Sequence, residues 1–194
     1  MKKFRPTPRN RQAKDQTGGN NQYLGAAHLS VWLWSYFEQT AKQQLAQLTG
    51  IEIGAQMGET TQLLANTGIF DKLHVIEPFK GKAYQDWTWE EIQQEWQLNT
   101  RHHQDQIQLH LKHQFEMPNE FPDQTVDFCY IANLHSYEAT KKALRLWLPK
   151  VRPGGIIAGH HTASIQRDSE RAVQIWIGQP DQLFQDGSWA KAIQ

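Results

Sequence analysis

The chain alternates short apolar runs with amphipathic segments, and this alternation restricts its architecture more than any other feature. Residues 49–53, 72–76, 107–111, 125–131 and 155–159 have strand length and strand composition. Helical patterns separate most of them, at 59–66, 89–99 and 137–148. Strand, helix, strand repeated in this way means parallel pairing through right-handed crossovers, which requires a sheet covered on both faces. The expected fold class is therefore α/β. Upstream, Leu29, Trp32, Leu33, Tyr36, Phe37, Ala41, Leu45 and Leu48 recur every three or four positions and predict a helix over 28–48 with Ser30 as its cap. A turn is expected at Arg152-Pro153-Gly154-Gly155. Beyond a helix over 169–177, the short runs 182–185 and 188–193 flank Asp186-Gly187, a hairpin signal. The sheet should thus be mostly parallel with an antiparallel final pair at one edge.

Composition narrows the partners. Twenty basic side chains balance 20 acidic ones, so no global field draws nucleic acid or an acidic membrane surface. The single cysteine, Cys129, has no internal disulfide partner and sits in an apolar run, which points to a reducing, cytoplasmic compartment. No stretch approaches the roughly 20 apolar residues of a membrane helix, and a soluble protein is expected. Residues 1–21 carry Lys2, Lys3, Arg5, Arg9, Arg11 and Lys14 against Asp15 alone, among Pro6, Pro8, Gly18 and Gly19. Such a segment buries too little to fold alone, so it reads as a flexible basic tail before a single domain over 22–194. Apolar aromatics near the N-terminus would suit a homodimer contact.

In an open parallel sheet, ligands bind at the carboxyl ends of the strands, where the strand order reverses. There the run Ile51-Glu52-Ile53-Gly54-Ala55-Gln56-Met57-Gly58-Glu59-Thr60 places two glycines across a strand-to-helix turn. Gly54 permits a close backbone approach, and Gly58 lets the helix pack tightly on the strand. A dinucleotide fold normally shows three glycines, because a pyrophosphate must lie on the helix N-terminus. Only two occur here, and Glu59 would repel a phosphate. Glu77 ends the second strand, where a carboxylate can accept hydrogen bonds from both ribose hydroxyls. A nucleoside ligand without phosphates fits better than NAD, which leaves a dinucleotide-dependent oxidoreductase as the weaker enzyme class.

With these residues the chain resembles the class I S-adenosylmethionine (SAM)-dependent methyltransferases, above all a small-molecule branch with "IDGDHSYE" and "LPKLKPGGIIAGHD" motifs. The matching segments here are Ile131-Ala132-Asn133-Leu134-His135-Ser136-Tyr137-Glu138 and Leu148-Pro149-Lys150-Val151-Arg152-Pro153-Gly154-Gly155-Ile156-Ile157-Ala158-Gly159-His160-His161. The resemblance implies a Rossmann-like three-layer sandwich with a mostly parallel seven-stranded sheet and an antiparallel C-terminal hairpin. It implies SAM as cofactor, with Glu52, Gly54 and the Gly58 turn at the methionine portion and Glu77 at the ribose. His113 and Gln114 would lie near the adenine, and Ala132 and Asn133 would border the sulfonium. Methyl transfer to a small molecule, with oxygen as the nucleophile by analogy, would then be a direct displacement.

The relatives carry aspartates where this chain has Ala132, Leu134 and His161, and magnesium or calcium would demand such oxygen ligands. A divalent metal is not expected; zinc or iron held by histidines is the alternative. His135, His160 and His161 are the candidate catalytic residues, with His135 favoured as general base because imidazole titrates near neutral pH. The same substitutions leave open a protein that binds SAM or another nucleoside without catalysing transfer.

Overall fold

The computed structural model describes residues 20–40, 48–81, 87–134, 136–161 and 166–194. In chain order the elements are α1 (Asn20–Thr40), β1 (Leu48–Ile53), α2 (Glu59–Asn66), β2 (Phe70–Ile76), α3 (Trp89–Thr100), β3 (Ile107–His110), β4 (Val126–Leu134), α4 (Tyr137–Trp147), β5 (Val151–His161), α5 (Gln166–Ile177), β6 (Gln182–Leu183) and β7 (Ser188–Ala192). The described strands form a seven-stranded sheet in the order β3-β2-β1-β4-β5-β7-β6. Strands β3 through β5 pair in parallel, and β7 runs antiparallel to both β5 and β6. This is the expected mostly parallel Rossmann-like sandwich with its reversed final pair.

Side-chain alternation along the central strands builds the two covering layers. Phe128, Tyr130, Ile156 and Ala158 face one core with Leu29, Leu33 and Phe37 of α1, Leu64 and Ala65 of α2, and Ile92 and Trp96 of α3. Ile51, Ile53, Cys129, Ile131 and Ile157 face the other with Ala143, Leu144 and Trp147 of α4 and Val173 of α5. Cys129 is wholly buried there, and burial pushes its thiol pKa upward, so it packs as a small hydrophobe. Among the described residues no helix is long and apolar enough to cross a membrane.

Helix starts follow local chemistry. Thr88 and Glu91 close a reciprocal capping box on α3, and the Ser136 hydroxyl accepts the Ala139 N–H at 3.2 Å to open α4. The helix predicted over 28–48 instead occupies Asn20–Thr40; Ser30 is a buried interior residue, and Leu48 begins β1. Residues 20 and 21, assigned to the tail from sequence, are the first of that helix, while 1–19 and 41–47, with Ala41 and Leu45, lie outside the described residues. The turn predicted at Arg152-Pro153-Gly154-Gly155 sits inside β5. Val126 pairs with Val151 and Phe128 with Ile156, so one intervening residue of β4 lies opposite four of β5, and the extra chain bulges out at Gly154, where φ is 77°. Asp127 braces this bulge: its carboxylate accepts the Thr49 N–H at 2.7 Å and Arg152 Nε at 2.6 Å.

Candidate active site at the switch point of the sheet

The chain winds outward from β1 through β2 to β3, then returns to begin β4 on the other side of β1. That reversal opens a crevice at the carboxyl ends of β1 and β4. Beta-strand β1 leaves the sheet through a turn with three left-handed residues, Gly54 (φ 84°), Gln56 (φ 46°) and Gly58 (φ 83°). A Cβ on Gly58 would meet Trp96 Cδ1 at 2.8 Å and the Trp96 backbone at 3.3 Å, so the glycine sets how closely α3 packs over the start of α2. Gln56 carries the strain of a left-handed conformation without glycine's freedom. Its N–H donates to Glu77 Oε2 at 3.2 Å.

The two carboxyls of this end have different surroundings. Glu52 is fully buried; Oε2 accepts the Thr61 hydroxyl at 2.5 Å, and Oε1 has no hydrogen-bond partner among the described residues. Burial, with a smaller push from Glu77 and against the Thr61 bond, raises its pKa to about 8. Glu52 is therefore neutral at pH 7 and ties β1 to α2, with no face on the pocket described below. Glu77 is 5% exposed and also has a raised pKa through burial, opposed by N–H donors from Gln56 and from Phe79, the latter at 3.0 Å to Oε1. Each of its oxygens takes one backbone bond and retains a second acceptor site.

On the β4 side of the turn lies a pocket lined by Gly54, Ala55, Gln56, Glu59, Thr60 and Leu63, and closed by Tyr130, Ala132, His160 and Asp186. His160 donates from Nε2 to the Asp186 carbonyl at 2.9 Å. A carbonyl only accepts, so Nε2 carries the proton and Nδ1 is the basic nitrogen of the neutral ring. The Asp186 carboxylate accepts both the N–H (2.9 Å) and the hydroxyl (2.7 Å) of Ser188, which also hydrogen-bonds the buried Tyr130 phenol. The cavity measures about 110 Å³, below the roughly 300–1,000 Å³ that encloses a drug-sized ligand. It suits one compact group, with the remainder of a nucleoside ligand outside it.

Past β3, Gln114 is buried with Oε1 unpartnered among the described residues, while its carbonyl accepts Trp147 Nε1–H at 3.2 Å. His113 is exposed against the Phe115 ring. His74 Nδ1 and His110 Nε2 stand 3.0 Å apart with ring centroids 5.3 Å apart, so the rings meet head-on through a single N–H···N bond. Burial lowers both pKa values, with mutual repulsion adding to the effect on His74.

Of the residues singled out from sequence, Gly54, Ala132 and His160 share one pocket, and Gln56 connects that pocket to Glu77. Gly58 supports the turn from behind, and Gln114 and His113 lie past β3. His135 lies outside the described residues, as do the side chains of Asn133 and His161, although the His161 backbone pairs with Leu134 in the sheet. Sequence reasoning missed Gln56, Tyr130, Asp186 and Ser188. Asp186 had a signal, the Asp-Gly pair, which was spent on the turn alone. Among the described residues no group of three or more His, Cys, Asp or Glu side chains is placed to hold a metal ion.

A mostly parallel sheet with this strand order and a reversed β7, with a glycine turn after β1 and an acid after β2, is the architecture of a SAM-dependent methyltransferase. A family model described as a methyltransferase domain matches residues 51–162, more than half of the chain, and the chain belongs to that family, within the class I SAM-dependent methyltransferases. A search of curated proteins finds no match. Among solved structures, a Corynebacterium glutamicum protein superposes with a TM-score of 0.58 at 14% identity, covering 95% of this chain and 96% of that one. A geranyl diphosphate methyltransferase in complex with SAM gives 0.53 at 10% identity over 80% and 66% of the two chains. Spermidine synthase from Thermotoga maritima gives 0.52 at 10% identity over 75% and 52%. At these identities the likeness is one of fold.

Proposed function

We propose that the chain transfers a methyl group from SAM to a small-molecule acceptor, with an oxygen atom as nucleophile. The observation that carries the reading is Glu77, fixed by two backbone N–H groups beside the left-handed turn at Gln56, within the segment the family shares. The residues present fit SAM. Glu77 keeps two acceptor sites for ribose hydroxyls, and neutral Glu52 below it adds no second charge. The buried Gln114 Oε1, which has no hydrogen-bond partner among the described residues, suits the amino group of an adenine. Gly54 and the turn closed by Gly58 offer backbone to the methionine portion, bordered by Ala132 and Asn133, with His113 near the base. SAM, when bound, would supply a methyl carbon open to a nucleophile, its positively charged sulfur leaving with the electron pair of the broken S–CH3 bond as S-adenosylhomocysteine.

The chain's own part is alignment and proton removal. His160 is the base in this reading, because it lines the pocket and its bond to the Asp186 carbonyl leaves Nδ1 to take a hydroxyl proton. His135 and His161 remain candidates from sequence. The sequence offers little to an oxygen-ligated magnesium or calcium ion, since Ala132, Leu134 and His161 stand where the relatives carry aspartates. The geranyl diphosphate methyltransferase of like fold supports a small acceptor.

Calorimetry with S-adenosylhomocysteine (SAH) tests the reading. Wild-type protein binds, Glu77→Ala binds at least tenfold more weakly, about 1.4 kcal/mol or more, and His160→Ala binds within twofold of wild type. Full affinity in Glu77→Ala, or no binding by the native protein, overturns it.

A further inference from the structure

Resting on that reading, we infer that Phe79 is a positioning residue for the cofactor, its left-handed backbone aiming an N–H at Glu77 and its buried ring holding that backbone in place. Three observations converge on it. First, among the described residues only three besides glycine have a left-handed backbone, Gln56 (φ 46°), Phe79 (φ 47°) and Gln124 (φ 58°), and the first two are the N–H donors to Glu77. Such a conformation is disfavoured for a bulky residue and persists only where its surroundings impose it.

Second, the surroundings of Phe79 are aromatic. Its buried ring packs edge-on against Trp89 and Trp96 of α3, with centroids 6.4 Å and 6.3 Å away. The Trp89 indole N–H donates to the Gly81 carbonyl at 2.9 Å, so α3 grips the chain just beyond Phe79 as well. Third, the same helix holds the other turn: Trp96 lies against Gly58, and Asn99 Nδ2 donates to the Met57 carbonyl at 2.9 Å. Helix α3 thus fixes the spacing of two turns that each lend one N–H to the same carboxylate.

The consequence lies in charge and direction. Burial raises the Glu77 pKa, and the two N–H bonds work against it. Loss of the Phe79 donor would favour the neutral acid and free the carboxyl to turn, and both changes weaken its hold on ribose hydroxyls. Phe79 acts here through Glu77 alone.

Calorimetry with SAH and with its 2′-deoxyribose analogue separates aim from packing. Wild-type protein is expected to prefer SAH by about tenfold or more. Phe79→Ala loses the ring that enforces the left-handed turn and keeps a Cβ that disfavours it. SAH should then bind about fivefold more weakly or worse, while the deoxy analogue stays within about twofold. Phe79→Gly also loses the ring but accepts a left-handed backbone, and should bind SAH about threefold more tightly than Phe79→Ala. A role in packing alone reverses that order and weakens both ligands alike. An undiminished preference in Phe79→Ala, an equal loss of both ligands, or Phe79→Gly no better than Phe79→Ala overturns the inference. The wild-type protein gives a check that needs no variant: the Phe79 amide NMR signal should follow the Glu77 carboxyl through its acid titration and move when SAH binds. A signal indifferent to either overturns the inference too. Failure of wild-type protein to bind SAH, or to prefer it to the deoxy analogue, strikes the cofactor reading itself instead, and so is told apart.

Discussion

The buried acid of β1 makes stability depend on pH in an unusual direction. Glu52 has an ordinary carboxyl value near 4.5 in the unfolded chain and about 8 in the fold, because burial disfavours the charged form more than the Thr61 bond favours it. The folded state therefore holds a proton that the unfolded state has released throughout that interval. Stability from this group is complete below pH 4.5, falls as pH rises, and levels off above about 8. At 1.36 kcal/mol per unit, the loss between pH 5 and pH 8 is about 4 kcal/mol. Glu52→Gln replaces the neutral acid with a neutral amide of the same shape that can still accept from Thr61, so this slope should vanish. Urea denaturation of both proteins at half-unit steps from pH 5 to 8.5 measures it. His74 and His110 titrate in both proteins and drop out of the difference, while Glu77, whose push on Glu52 is smaller than that of burial, enters only as a minor part of it. Relative to wild type, the variant should gain about 4 kcal/mol on going from pH 5 to pH 8. Parallel curves within about 1 kcal/mol would refute the claim that Glu52 is folded in its protonated form.

Two further substitutions probe the scaffold. Gly58→Ala places a methyl group 2.8 Å from Trp96 Cδ1 in a left-handed conformation, and should lower unfolding free energy by about 2–4 kcal/mol in urea titrations; a loss under about 0.5 kcal/mol would contradict the packing described. Asp127→Ala removes the acceptor shared by the Thr49 N–H and Arg152 and should cost about 2 kcal/mol, read as a lower melting temperature. An unchanged melt would mean the β5 bulge needs no brace.

Much of the scaffold was legible because it rests on local signals. The apolar run of 126–131, the 3.6-residue period of 137–148 and the Asp186-Gly187 turn point to parallel pairing and to the reversed final pair. The helix predicted from Glu59 to Asn66 is the helix found. The misread ends have physical causes. Periodicity places α1 but not its boundaries, since Leu48 keeps the helical spacing yet belongs to β1. The glycine and proline of 152–155 do mark a break, but the flanking residues on both sides pair with β4, so the break is a bulge within one strand. Gly54 and His160, singled out from motif spacing, line one pocket, and Glu77 meets its turn through the Gln56 N–H. Glu52 was expected at the cofactor and is fully buried against Thr61, because a strand's alternation decides which way its side chain points and the neighbouring helix supplied the hydroxyl. Asp186 reaches the pocket only through pairing of residues 26 positions apart, His160 and Asp186, and no local pattern in one sequence encodes such a contact.

The insertion of β7 between β5 and β6 has a bearing on assembly. The pairs of β7 with β5 span about as much chain as those of β2 with β3, so contact range alone does not set their order. Synthesis does: the chain emerges N-terminus first, and the hairpin is the last part of the sheet to become available. The pocket wall that carries Asp186 is therefore completed only after β1, β2, β4 and β5 are already present.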